Sequence, residues 1–75
     1  MGADITEVTW RFARNLYRAR KGADFSREAL AFRADLHPTW LSRLESGRHN
    51  PRLHTMHRLA GALGIEAADL LARDR

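Results

Sequence analysis

Cysteine is absent from the chain, which excludes disulfides and zinc fingers built on thiolates and suits a reducing compartment. No apolar run approaches the roughly 20 residues needed to span a bilayer. The N-terminus also lacks the apolar centre of a signal peptide. Strand-like alternation, internal repeats and low-complexity stretches are missing too, so an all-β fold and a repeat array are not expected. Lysine is nearly absent, Lys21 being the only one.

What remains is arginine and hydrocarbon. Thirteen Lys and Arg against nine Asp and Glu leave a net charge of +4. Arginine suits two-bond contact with phosphates and guanine edges better than lysine does. A small basic domain favours an anionic partner, although charge alone would equally allow a membrane surface or RNA. With 44% hydrophobic residues the chain folds rather than staying disordered. Its 75 residues make one domain, 1–75, with a small core.

The punctuation predicts five short helices. Asp4 and Glu7 have the spacing of a capping box, and Val8, Phe12 and Leu16 follow at helical intervals with Ala13 and Ala19 between them. That helix should end near Lys21 and Gly22. Ser26 is placed as an N-cap, with Phe25 and Leu30 at the spacing of a hydrophobic staple. The second helix runs from about Arg27 to Ala34, and Asp35 suits the left-handed conformation of a tight turn. Pro38 opens the third helix at its first position, where the missing N–H costs nothing. Leu36 and Leu41 repeat the staple, and Gly47 closes the helix. After Asn50-Pro51, the residues Leu53, Met56, Leu59, Ala60 and Leu63 form the stripe of a fourth helix, which Gly64 stops. Ile65 and Leu70 staple a last short helix ending near Arg73.

Two of these helices, 26–34 and 38–46, are joined by about three residues. So short a joint forces a steep crossing, as in a helix-turn-helix. At 100° per residue, Leu41 and Leu44 lie within about 60° of each other and must face the core. Thr39, Arg43 and Ser46 share the opposite side over roughly 60°. Short polar groups and one arginine on an outer face suit a helix lying in a major groove about 12 Å wide. Trp40 falls at the border, beside Leu44.

The residues Phe12-Ala-Arg-Asn-Leu16, continued by Phe25-Ser26-Arg27-Glu28-Ala29-Leu30-Ala31, resemble the opening of the phage repressor and Cro (XRE-like) family. The segment Leu41-Ser42-Arg43-Leu44-Glu45-Ser46-Gly47-Arg48-His49-Asn50-Pro51 is similar to that family's most distinctive stretch. The likeness runs on through Leu59-Ala60-Gly61-Ala62-Leu63-Gly64-Ile65 to Leu71, covering about residues 8–71. Within the family, Leu36-His37-Pro38-Thr39-Trp40 most resembles the controller proteins of restriction–modification systems.

The resemblance implies a compact all-α five-helix bundle of the lambda-repressor type with helix-turn-helix unit 26–46. It would be a sequence-specific regulator of transcription in the cytoplasm of a bacterium, or encoded by a phage, associated with the nucleoid. A homodimer would place two recognition helices in successive major grooves of a roughly palindromic site, about 34 Å apart. Thr39 and Arg43 would read bases, while Ser26, Arg27, Trp40, Arg48, Asn50 and Arg52 would meet phosphates. Arg20 on the first helix would pair with Glu45, and Ile65, Leu70 and Leu71 would contribute to the dimer contact or the core.

Three departures from the family pattern bear on which bases are read. Pro38 stands where controller proteins often carry a basic residue, Arg27 where glutamine is common, and Asp35 at the usual turn glycine. Trp10 is expected to pack. His54 and His57, three apart on one helix, have no cysteine or carboxylate to complete a metal set; neither cofactor, metal nor small-molecule ligand is expected. A protein-interaction module is disfavoured by the arginines at 27, 43, 48 and 52. An enzyme is disfavoured because no acid, base and nucleophile converge.

Overall fold

Asp4 starts the first helix: its Oδ1 accepts from the Glu7 N–H at 3.1 Å, while the Glu7 carboxylate turns to Arg11 at 3.0 Å. The computed structural model describes residues 4–73, so the ends of the expected 1–75 domain, 1–3 and 74–75, lie outside the described residues. The elements are α1 (Ile5–Gly22), α2 (Arg27–Arg33), α3 (Pro38–Glu45), α4 (Leu53–Leu63) and a 3-10 turn, Ala67–Leu71.

Three of the helices end in the same way. Past α1, Phe25 N–H donates to the Arg20 carbonyl and Asp24 N–H to that of Lys21. Past α2 the pairs are Leu36 with Ala31 and Asp35 with Phe32; past α4 they are Ile65 with Ala60 and Gly64 with Gly61. This is the Schellman closure, which needs a left-handed residue next to last. Asp24 (φ 62°), Asp35 (φ 58°) and Gly64 (φ 71°) supply it. The residue that follows each of them is apolar, and Phe25, Leu36 and Ile65 all pack against the core. Each is also the staple of the next element, set before Leu30, Leu41 and Leu70, which are fully buried. One apolar side chain therefore closes one helix and orients the next, and this is why joints of a few residues suffice.

Any residue with a β-carbon is disfavoured in this conformation, aspartate less than most. Asp35→Gly should raise stability by about 0.5–1 kcal/mol. Thermal unfolding should show this as a melting temperature higher by a few degrees; an unchanged or lower value would mean that Asp35 has a compensating role.

The core is one cluster contributed by every element: Phe12 and Leu16 from α1, Leu30 from α2, Leu41 and Leu44 from α3, Leu59 from α4, and Leu70 from the turn. Burying each such side chain contributes roughly 1.5–3 kcal/mol. The fifth expected helix is a 3-10 turn instead. It is only five residues long, too short to complete α-helical bonding, and Asp69 Oδ2 folds back to accept from the Glu66 N–H at 2.9 Å. It ends at Leu71, and α1 takes over its loose end. Asn15 Nδ2 donates to the Leu70 carbonyl at 3.1 Å and to that of Ala72 at 2.8 Å.

Candidate nucleic-acid interface

α3 begins with a cap that its sequence did not announce: His37 Nδ1 accepts from the Thr39 backbone N–H at 3.1 Å. Pro38 follows at the first helical position. Leu41 and Leu44 are fully buried, which turns the opposite face outward and leaves Thr39, Ser42, Arg43 and Ser46 exposed. Ser42 was not singled out from the sequence, yet it lies only about 60° from Thr39 on the helical wheel, so the signal was there. Ser46 turns away from the outer face. Its hydroxyl donates to the Arg43 carbonyl at 2.6 Å and closes the helix. The Arg43 guanidinium has no partner among the described residues.

The helix is anchored from behind by a buried charge cluster. Arg20 Nε donates to Glu45 Oε2 at 2.6 Å, Arg20 Nη2 to Glu45 Oε1 at 3.1 Å, and Arg20 Nη1 to the Phe25 carbonyl at 2.9 Å. The two side chains are 7% and 3% exposed. The hydrogen bonds that Arg20 donates to Glu45, helped by the carboxylate's charge, hold the Arg20 guanidinium above its ordinary range against the opposing effect of burial. The cluster joins α1, the start of α2 and the end of α3. Arg27 adds a third donation, Nε to Glu45 Oε1 at 3.1 Å, with its side chain half exposed. From the sequence, Arg27 was expected only at phosphate. The tertiary fold gives it a carboxylate partner that also aims it.

After α3 the chain runs through Gly47 (φ 80°) into a loop with Arg48 and Asn50 exposed and His49 half-buried. The His49 ring lies 5.6 Å from that of Trp40, which itself packs against the core. The Thr9 hydroxyl on α1 lies within hydrogen-bond distance of both the Ile5 carbonyl and Asn50 Oδ1; having one proton, it donates to one of them at a time. Arg52 precedes α4 without capping it by its side chain. On the other side of α3 an open, polar groove of about 550 Å³ is lined by Ser26, Arg27, Thr39 and Ser42 together with Tyr17 and Lys21. Periodicity cannot place Tyr17 and Lys21 there, because only the crossing of α1 over α3 brings them to the groove.

Residues 11–73 match the family described as Helix-turn-helix domain. The chain belongs to this family. Within it the chain is of the phage-repressor and Cro type, a group of DNA-binding transcription regulators and not of enzymes. It is similar to Control protein C.BamHI of Bacillus amyloliquefaciens, 41% identical over 49 residues, which are 65% of this chain and 60% of that protein. It is also similar to Control protein C.MunI of Mycoplasma sp, 30% identical over 69 residues, 91% of this chain and 93% of that one. Among solved structures, the restriction-modification controller protein C.AhdI from Aeromonas hydrophila superimposes with a TM-score of 0.80 at 32% identity, over 83% of this chain and 94% of that chain.

In this helix-turn-helix domain the residues expected at DNA fall into two sets. Thr39, Arg43, Arg48, Asn50 and Arg52 are exposed, as are Ser26 and Arg27 beside them, whereas Trp40 is half-buried. Of the three residues expected at a dimer contact, Leu70 is fully buried within the protomer, where it seats the 3-10 turn in the core and offers no surface. Ile65 and Leu71 are half-buried and keep an outward edge. Among the described residues, no three His, Cys, Asp or Glu side chains gather as metal ligands, and His54 and His57 are both exposed. No described helix is long and apolar enough to cross a membrane.

Proposed function

We propose that this helix-turn-helix domain acts as a homodimeric, sequence-specific regulator on a roughly palindromic operator, with α3 in the major groove of each half-site. The observation that carries this is the outer face of α3. Arg43 stands there exposed beside Thr39 and without a partner among the described residues, on a helix locked to the core by Leu41 and Leu44 and to α1 by Arg20 and Glu45.

Arg43 can donate to O6 and N7 of one guanine, and the Thr39 methyl can touch a thymine methyl. Ser26, Arg27, Arg48, Asn50 and Arg52, with the indole N–H of Trp40, take the flanking phosphates and fix the register. The dimer contact falls to Ile65 and Leu71 at the edge of the 3-10 turn. The relatives named control proteins support a regulatory role of the same kind, with DNA occupancy set by protein concentration through dimerisation.

The test is selection of bound sites from random duplex DNA at near-physiological salt. A palindrome with half-sites about one helical turn, or 34 Å, apart is expected. Weak binding without a motif, governed by charge alone, would overturn the reading and favour a domain that binds proteins instead.

A further inference from the structure

Trp10 on α1 is 61% exposed and is not part of the buried cluster, yet its ring is not idle. A β-carbon at Gly47 would stand 3.3 Å from Trp10 Cδ2, 3.4 Å from Cε3 and 3.5 Å from Cε2, so the indole takes up the space beside Gly47 that a side chain there would need. One residue earlier on α1, Thr9 meets the Asn50 side chain. Ile5, Thr6 and Thr9 face Gly47, Arg48 and Asn50 across a shallow cleft. The loop after α3 is thus pinned to α1 at two points three residues apart, with Arg48 held between them. On its other side His49 leans on Trp40.

We propose that Trp10 is a positioning residue of the DNA interface: it clamps the loop 47–50 so that Arg48, Asn50 and Arg52 are pre-aligned for one stretch of phosphates. This rests on the DNA-binding reading above. The physical reason is pre-organisation, because a loop ordered before binding does not lose conformational freedom during it. A glycine at 47 serves the clamp twice, by adopting φ 80° and by leaving the ring its seat. Removing the indole opens no cavity in the core, so binding and stability should separate. A residue that merely packed would move both together.

The experiment compares wild type with Trp10→Ala and Trp10→Phe on the selected operator duplex at several salt concentrations, alongside thermal unfolding. Backbone amide exchange of residues 47–50 is followed in the free proteins. For Trp10→Ala the affinity should fall by roughly tenfold or more. Each arginine–phosphate contact supplies about 0.9 of the salt slope, so loosening Arg48 and Arg52 should flatten it by about 1–2. Base preference should be unchanged, the melting temperature should stay within a few degrees, and exchange at 47–50 should quicken. Trp10→Phe, keeping a flat ring, should restore most of the slope. An unchanged slope, affinity lost only in step with the melting temperature, or a phenylalanine no better than alanine would overturn the clamp. If wild type selects no operator, the DNA-binding reading fails, and the exchange comparison still tests the clamp: equal rates in wild type and Trp10→Ala would remove it.

Discussion

Glu45→Ala should lower the stability of this domain by about 3–5 kcal/mol, because it leaves the Arg20 guanidinium charged, buried and short of two acceptors. Arg20 Nε and Nη2 both donate to that carboxylate, and among the described residues the Phe25 carbonyl is the acceptor that remains. A chain of this length has about 4–11 kcal/mol in total, so much of the population would unfold under mild denaturant. Urea unfolding should show a lower midpoint at an unchanged slope. Arg27→Ala is the control: that side chain is half exposed and Glu45 keeps its buried partner, so a loss below about 1 kcal/mol is expected. The Arg20 pKa is raised in the fold, so the stability it contributes is fully present below its unfolded value and is lost only as pH rises through strongly alkaline values. The Arg20 contribution should therefore be flat across neutral pH. A Glu45→Ala loss under 1 kcal/mol would show that the cluster is ornamental.

Arg43→Ala should have the opposite profile, large in specificity and small in stability. The side chain is exposed and has no partner among the described residues, so unfolding should move by no more than about 0.5 kcal/mol. A bidentate guanine contact discriminates by about 1–3 kcal/mol, so site selection should lose one base preference in each half-site. Affinity for the selected operator should fall about 5- to 150-fold. A base contact releases no phosphate counterion, so the salt slope should change little. Arg48→Ala or Arg52→Ala should instead weaken all sequences alike and flatten the slope by about 0.9. If Arg43→Ala weakened every sequence equally, Arg43 would be a phosphate ligand, and specificity would rest on Thr39, Ser42 and the shape of the duplex.

The elements were legible in the sequence because their signals are local. Pro38 can open a helix but not continue one, Ser26 can cap one, and Phe25, Leu36 and Ile65 stand at staple spacing before Leu30, Leu41 and Leu70. The inward face of α3 follows from 3.6 residues per turn, and the outward position of Thr39 and Arg43 follows from it. Where local rules met a short segment they overshot: Ala67–Leu71 has the staple of a helix but too few residues to form one.

What periodicity could not reach are contacts between residues far apart in the chain. The exposure of Leu70 is decided by the packing of the turn on α1 and α4, and the second partner of Glu45 by the approach of α2 to the end of α3. The cap on α3 depends on the ring orientation of His37, and the seat of Trp10 on Gly47 spans 37 residues of sequence. By itself the sequence determined the four α-helices and the outward face of α3, since these depend on spacing within one or two turns, and the type of domain through its resemblance to a known family over about residues 8–71. Tertiary structure alone decided that Arg27 shares Glu45 with Arg20, that Leu70 is spent on the core and that Trp10 seats on Gly47, because those outcomes depend on how helices cross, and crossing geometry is a property of the packed chain.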